Sequence, residues 1–361
     1  MNVEIYNNMM NNEPEIDSDY LHKALGLEKD KQISDVVVSE VTESNTALTI
    51  KFSVQIEGGA NEKHQRSFFV KTIKKDSEIT GYHELCLNEV NFYKLIREGS
   101  NIGLPIPKCI DAYISEDGSK FLLLLDDISD SYNPPNETIL LNEQNWVKAA
   151  RSLASFHARF WDTDEIGSND LPIEDAEKTQ SYIDDIYDGY SKFKEYVGDH
   201  FDGKTIAIYE HAVKIAIELV NERYERMLNR DNVTVMHGDA HIHNFMFPED
   251  CSKDPIIVDF QFWGLGIGLG DIAHLTRVSF PKIYGRNMHF AIVKEYYDTL
   301  VAEGVRGYSW ERCWNDYRRQ VASMLLIPAW QYTLFNREYE QWVDDVTGLI
   351  SNYDVLECGE L

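Results

Sequence analysis

Residues that could bind a metal ion and take part in phosphate transfer lie in two segments of the second half of the chain. The first segment, VMHGDAHIHNFMF at 235–247, carries Asp239 and Asn244 five positions apart. The second, PIIVDFQFWGLGIGLGDIAHL at 255–275, carries Asp259 at the end of an apolar run that predicts a strand. A hairpin would bring the three side chains together, and their oxygens suit Mg²⁺, which is usually shared with substrate phosphates. The pattern therefore predicts phosphoryl transfer.

The composition of the chain limits its partners. Among 361 residues, 34 Lys and Arg face 61 Asp and Glu, so the formal net charge is −27. Nucleic acids and anionic membranes are bound through clustered Lys and Arg, and no such run is visible, so we expect neither as a partner. The 43% hydrophobic share and the length predict a globular protein with two domains or lobes.

Cysteine usage and the amino terminus indicate the compartment. The five cysteines are odd in number, far apart and form no CxxC pair, namely Cys86, Cys109, Cys251, Cys313 and Cys358. This pattern is typical of free thiols in a reducing compartment, without structural zinc. The first 20 residues lack the features of a secretion signal, and no apolar run approaches the ~18–20 residues needed to cross a bilayer. We therefore expect a cytoplasmic location.

Hydrophobic periodicity predicts an α+β fold. Strands are predicted at 36–41, 46–54 and 67–73, followed by a helix near 85–96 and two strands within PIPKCIDAYI and KFLLLLDDI. After about residue 128 the apolar spacing becomes helical, most clearly at 144–161, 173–190 and 205–228. The expected organisation is a small mixed lobe, 1–127, before a larger helical lobe, 128–361.

Four motifs in order resemble a family of small-molecule kinases. They are ASFHARFW at 154–161, HGDAHIHN, VDFQ and GDIAHL. Together they are similar to the family that includes aminoglycoside phosphotransferases, choline kinases and ecdysteroid kinase-like proteins, and the DFQ form is closest to the last branch. The resemblance, from about residue 36 to 275, implies a two-lobed, protein-kinase-like fold. It also implies transfer of the γ-phosphate of ATP, with Mg²⁺, to a hydroxyl group of a small molecule.

The resemblance also implies roles for individual residues. Asp239 takes the place of the catalytic aspartate, and Asn244 and Asp259 those of the Mg²⁺ ligands. Asp271 is expected to tie the catalytic loop to the helix that it begins. The implied nucleotide-binding residues are the pair Lys71 and Glu89, for which Glu84 is a competing partner, and the backbone against adenine near Leu124, Asp126 and Ile128.

The acceptor is expected to be small, because only 12 positions separate Asp259 from Asp271 and no APE sequence follows to form a peptide-binding segment. The acceptor pocket is predicted in the helices around 173–230 and 280–350. Its candidate lining residues are Tyr182, Tyr187, Trp330, Tyr332 and Trp342. Carboxylates and aromatic faces both stabilise cations, so an amine-bearing acceptor is the first hypothesis, with sugars and steroid-like molecules as alternatives. Residue patterns do not determine the oligomeric state.

Some features depart from the family pattern. The first hairpin, VTESNTALTI, has no glycine, so phosphate contacts are assigned there only to Ser44, Asn45 or Thr46. His241 and His243 replace the usual residues after the catalytic aspartate. GLGIGLG at 264–270 has glycines at alternate positions, which do not make the GxGxxG of a dinucleotide site.

Two alternatives to a kinase remain open from the sequence. His237 and Asp239 form H-x-D, which with His274 or His289 could make the iron site of a non-haem oxygenase. That chemistry usually occurs on a β-rich barrel, whereas helices flank this segment on both sides. A non-catalytic protein on the kinase-like scaffold is the second alternative, although the catalytic aspartate and both metal ligands are present.

Overall fold

A computed structural model describes residues 16–43, 47–58, 62–73, 81–98, 103–198, 200–249, 253–281, 283–335 and 343–361. Two compact units divide the chain: Met1–Asn133 with Val258–Trp263, and Pro134–Ile257 with Gly264–Leu361. The first unit thus ends six residues beyond the predicted boundary at 127. It also contains the short DFQFW segment, which the sequence placed in the second lobe.

The first unit is built on a five-stranded antiparallel sheet with the strand order β1-β2-β3-β5-β4. Its strands are β1 (Gln32–Glu43), β2 (Ala47–Gly58), β3 (Glu62–Ile73), β4 (Cys109–Ile114) and β5 (Phe121–Asp126), with a short β6 (Tyr132–Asn133). Its helices are α1 (Ser18–Ala24) and α2 (Gly81–Glu98). The predicted order of three strands, one helix and two strands is confirmed.

Strand alternation determines from which face of the sheet Lys71 projects. Along β2 every second side chain is buried, and Phe52 lies opposite Phe68 of β3 with their ring centroids 5.5 Å apart. Val70 belongs to the same fully buried cluster. Because successive side chains of a strand point to opposite faces, Lys71 leaves the sheet on the other face.

The second unit is mostly helical. Its helices are α3 (Glu137–Leu140), α4 (Glu143–Phe160), α5 (Ala176–Val197), α6 (Gly203–Asn229), α7 (Leu269–Leu275), α8 (Arg286–Ala302), α9 (Trp310–Ser323), α10 (Ile327–Phe335) and α11 (Val343–Val355). None of the helices in the described part of the chain combines the length and apolarity that a membrane crossing requires.

Short strands carry the loops of this unit. β7 (Thr234–Met236) pairs antiparallel with β10 (Gly264–Gly266), and β8 (Phe245–Pro248) pairs antiparallel with β9 (Ile256–Ile257). The HGDAHIHN loop lies between β7 and β8, so both of its ends are fixed by strand pairing.

Candidate active site

Lys71 and Glu89 form a buried ion pair in the first unit. The Nζ atom of Lys71 lies 2.6 Å from Oε2 of Glu89, with only 14% and 6% of the two side chains exposed. Burial alone would lower the pKa of Lys71, but the carboxylates of Glu89 and Asp259 raise it above its usual value. The lysine therefore stays protonated. Glu84, the competing partner, lies exposed in the first turn of α2.

Asp259 lies beside this pair, in the segment that the first unit takes from the second half of the chain. Its Oδ1 atom is 3.5 Å from Nζ of Lys71 and accepts no hydrogen bond from the described residues. The side chain as a whole is 45% exposed, although the Oδ1 atom itself is buried. The residue has φ +69°, a conformation that only a few per cent of residues other than glycine adopt. A partly exposed carboxylate beside a protonated lysine fits a Mg²⁺ ligand.

The residues implied for adenine binding lie at the end of β5. Leu124 is fully buried in the sheet core, between Val70 of β3 and Asp111 of β4. Asp126 forms an ion pair with Arg66, in which Oδ1 of the aspartate lies 2.7 Å from Nη2 of the arginine. Ile128 follows β5 and starts a turn, in which its carbonyl accepts the amides of Ser131 and Tyr132.

In the second unit, the backbone of Asp239 is held from both sides. Its N–H donates to Nδ1 of His237 at 3.2 Å, and its carbonyl accepts the N–H of His241 and Nδ2 of Asn244, both at 2.8 Å. The amide nitrogen of Asn244 is thereby used inside the loop, which leaves Oδ1 as the end suited to a cation. Gly238 has φ +82°, where a side chain would be strained.

Beneath this loop lies the fully buried carboxylate of Asp271, in the first turn of α7. It accepts the N–H of His237 at 2.6 Å and that of Gly238 at 2.9 Å, so it ties the loop to the helix as predicted. Nε2 of His157 lies 3.0 Å away, and Nδ1 of the same ring contacts the hydroxyl of Tyr296 at 2.8 Å. Burial would raise the pKa of Asp271, yet His157 and the amide of His237 lower it below the usual value.

Two imidazoles flank the Asp239 carboxylate. Nε2 of His241 lies 3.5 Å from Oδ2, and Nδ1 of His274 lies 3.6 Å from Oδ1. Burial lowers the pKa of His274 to about 3, and nearby Arg277 lowers it as well, so this imidazole is neutral. His243 instead contacts the hydroxyl of Ser279 at 2.9 Å. The two histidines that follow Asp239 thus have different environments.

Two histidines of the alternative iron site have other contacts. Nδ1 of His289 contacts the hydroxyl of Tyr317 at 2.6 Å, and Nδ1 of His237 receives the amide of Asp239. In the part of the chain that the structure describes, no group of three or more His, Cys, Asp or Glu side chains is arranged to hold a metal ion.

The candidate acceptor residues have separate surroundings. Tyr182 donates to Glu174, and its ring lies 4.9 Å from Nζ of Lys178 and 5.1 Å from the guanidinium of Arg223. The hydroxyl of Tyr182 is therefore already hydrogen-bonded to a residue of the same unit. Tyr187 is 56% exposed on the same helix, α5.

The other candidates lie near the end of the chain. Trp330 of α10 is 44% exposed, and Tyr332 stacks on Tyr196 with centroids 4.4 Å apart. Trp342 lies outside the described residues, as do the candidate phosphate contacts at 44–46.

Three of the four alternating glycines of GLGIGLG lie in close packing, whereas no other described residue lies within 4 Å of a Cβ at Gly264. A Cβ at Gly266 would lie 2.5 Å from Sδ of Met236, and one at Gly270 would lie 2.8 Å from Cε of the same residue. At Gly268 it would lie 2.8 Å from Nδ1 of His157 and also collide with the hydroxyl of Tyr296. The alternation of glycines in the sequence was the signal for this close packing. It allows β10 and the start of α7 to pack against Met236 and His157, which lie next to the HGDAHIHN loop or support it.

Solved structures share this architecture. A candidate aminoglycoside phosphotransferase from Ralstonia eutropha JMP134 aligns with 95% of this chain and 99% of its own, at 13% identity and a TM-score of 0.55. This likeness shows the protein-kinase-like fold. A microcompartment-associated aminopropanol kinase aligns over 94% and 96% at 12% identity and 0.49. The choline kinase LicA from Streptococcus pneumoniae aligns over 93% and 98% at 13% identity and 0.46.

No curated protein matches the sequence significantly. The model of the ecdysteroid kinase-like family, in contrast, matches residues 43–305, well over half of the 361 residues. That range contains Lys71 and Glu89, the complete HGDAHIHN loop and the DFQFW segment. The chain belongs to the ecdysteroid kinase-like family.

Proposed function

We propose that this protein is a kinase that transfers the γ-phosphate of ATP, in the presence of Mg²⁺, to a hydroxyl group of a small molecule. The observation that carries the proposal is the buried Lys71–Glu89 pair with Asp259 3.5 Å from the lysine, all within one compact unit. Membership of the ecdysteroid kinase-like family supports it.

Lys71 binds the nucleotide phosphates. Its ammonium group is protonated and held by Glu89, so it presents a fixed positive charge in a protein whose net charge of −27 repels phosphates. The backbone at the end of β5 and just after it, around Leu124, Asp126 and Ile128, is proposed to receive the adenine.

Asp259 and Asn244 are the proposed ligands of Mg²⁺, and their pairing rests on the order of the motifs in the sequence. The partly exposed carboxylate of Asp259 and the amide oxygen of Asn244 are the hard oxygen donors that this ion prefers. When bound, Mg²⁺ neutralises charge on the phosphate oxygens and so favours the loose transition state.

Asp239 orients the acceptor hydroxyl and takes its proton. The hydroxyl oxygen forms the new bond to the γ-phosphorus while the bond from that phosphorus to the β,γ-bridging oxygen breaks, and ADP leaves. Positioning contributes more than basicity in such a reaction, so a carboxylate of ordinary strength suffices. The loop supplies this positioning, because Asp239 is held at both its N–H and its carbonyl.

Amine-bearing alcohols are the acceptors that we place first. The acidic composition supports this choice, since it attracts cations. Two imidazoles lie close to the Asp239 carboxylate, so the preference rests on the overall charge. Equal phosphorylation of neutral and cationic acceptors would remove it. A screen of hydroxylated amines, sugars and steroids for acceptor-dependent ADP release is the direct measurement.

Replacing the catalytic aspartate tests the proposal. Asp239→Ala should abolish acceptor-dependent ADP release while Mg·ATP binding, measured by calorimetry, is retained. Unchanged turnover in that variant would show that Asp239 is not catalytic. Wild-type protein that binds no ATP would favour the scaffold alternative, and stoichiometric iron in the purified protein would favour the oxygenase.

A further inference from the structure

A reciprocal set of hydrogen bonds joins α2 to the segment that carries Asp259. The side-chain nitrogen Nδ2 of Asn88 donates to the carbonyl of Gln261 at 2.8 Å and lies 3.4 Å from the carbonyl of Trp263. In return, the indole nitrogen of Trp263 donates to the backbone carbonyl of Asn88 at 2.8 Å. Each side chain thus holds the backbone of the other segment, although 175 residues separate them.

Neighbouring residues of the same helix strengthen this attachment. The rings of Phe92 and Phe260 are stacked with centroids 3.9 Å apart and planes only 6° from parallel. The carboxylate of Glu89 accepts the backbone N–H of Phe260, and Sγ of Cys86 lies 3.7 Å from Nε2 of Gln261. Residues three apart share a face of a helix, so one face of α2 holds the segment along two turns.

The attachment explains how Asp259 keeps an unusual backbone conformation. Its φ of +69° is sparsely populated for a residue with a side chain, and such a conformation persists only where the surroundings impose it. Phe260, the next residue, is fixed by the ring stack and by Glu89. The direction of the carboxylate, with Oδ1 3.5 Å from Lys71, therefore depends on how firmly the residues after it are held.

We propose that Asn88 and Trp263 are positioning residues, which hold the Asp259 backbone in this conformation and thereby orient its carboxylate for the metal-bound nucleotide. The metal-related half of the proposal, that the carboxylate is oriented for the metal-bound nucleotide, rests on the proposed kinase function. The other half, that the two side chains hold the Asp259 backbone, does not. All of the contacts lie within the first unit, so Lys71, Glu89 and Asp259 form one preassembled group.

Hydrogen exchange without any ligand tests the hold on the backbone. Asn88→Ala removes the side-chain donor, and Trp263→Phe removes the indole N–H but keeps an aromatic ring. Both should speed exchange of the amides at 258–263 by about 10-fold or more, because local opening becomes easier. Asn91→Ala is the matched control, since Asn91 is an exposed asparagine of the same helix and should leave these amides unchanged. Wild-type exchange in Asn88→Ala would overturn the proposal.

Calorimetric ATP binding with Mg²⁺ and with EDTA tests the consequence. In Asn88→Ala the affinity for ATP in the presence of Mg²⁺ should fall by about 10-fold, as is usual when a residue that supports a metal ligand is removed. The affinity for ATP in EDTA should stay at the wild-type value. Equal losses under both conditions would show a general structural role and overturn the positioning role. If the wild-type protein binds no ATP at all, the kinase function and the metal-related half both fail, and hydrogen exchange alone decides the hold on the backbone.

Discussion

The imidazole of His157 lies 3.0 Å from the carboxylate of Asp271, and both side chains are completely buried although 114 residues separate them. Because Asp271 also accepts the amides of His237 and Gly238, the pair supports the backbone of the loop that presents Asp239. A histidine in the last turn of α4 thereby supports the proposed catalytic aspartate without contacting it. The interior of the second unit, and not the loop alone, sets the position of this residue.

His157→Ala should lower both stability and turnover. The change removes a donor from a buried carboxylate, which costs about 3–5 kcal/mol when a buried pair is broken. Turnover, measured where the variant is fully folded, should still be lower, because the loop loses its support. His211→Ala is the control, since that residue also contacts a tyrosine hydroxyl, at 2.6 Å from Tyr353, but supports no loop of the site. Normal turnover in folded His157→Ala would contradict this role.

Gly268→Ala should destabilise the second unit by about 1–3 kcal/mol, the usual cost of forcing an extra methyl into a packed interior. The new Cβ would lie 2.8 Å from Nδ1 of His157 and collide with the hydroxyl of Tyr296, both of which are fully buried. Thermal unfolding measures the effect. Gly203→Ala, where nothing lies within 4 Å of the new Cβ, should leave the melting temperature unchanged or higher. Equal behaviour of the two variants would argue against tight packing at Gly268.

Lys71→Met should lower kcat/KM for ATP by about 100-fold or more, as expected for removal of a preorganised group that stabilises transferring phosphate. The change also leaves the buried carboxylate of Glu89 without its cation. Lys63→Met on the same strand is the control, because that lysine is 66% exposed and pairs with Glu57 at the surface. Similar kinetics for the two variants would contradict the assignment of Lys71.

Stability should fall as the pH falls from about 6.5 to 4. Burial lowers the pKa of His289 to about 4, whereas an unfolded histidine titrates near pH ~6.5. Within this window the unfolded chain binds a proton that the folded protein does not, so the free energy of unfolding decreases with decreasing pH. His289 alone contributes on the order of 3 kcal/mol, fully present above pH ~6.5 and lost towards pH ~4. The buried His274 acts in the same direction.

Urea unfolding across this pH range measures the effect. His289→Asn should give a shallower dependence of the unfolding free energy on pH, whatever its effect on stability at neutral pH. His64→Asn, at an exposed position of β3, should keep the wild-type slope. An unchanged slope in His289→Asn would show that this histidine does not titrate as expected.

Local patterns in the sequence predicted the elements, and the motifs that resemble a kinase family indicated the candidate site residues. Alternation along 47–58 shows which side of β2 is buried, and helical spacing in α4 shows which side of that helix faces the interior. Motif order led to Lys71 and Glu89, which the structure brings within 2.6 Å. The buried sides of β2 and α4 follow from backbone periodicity, in which each residue's side depends only on its near neighbours.

Tertiary structure alone decided which distant residues meet. The DFQFW segment belongs with the first unit because its backbone and rings are held by α2, and no local pattern records that attachment. In the same way, His157 has the helical spacing of an ordinary core residue, and its partner Asp271 becomes visible only when α4 and α7 pack together. Sequence periodicity determines which face of an element is buried. The long-range packing of those faces decides which carboxylate, imidazole or amide each buried group meets.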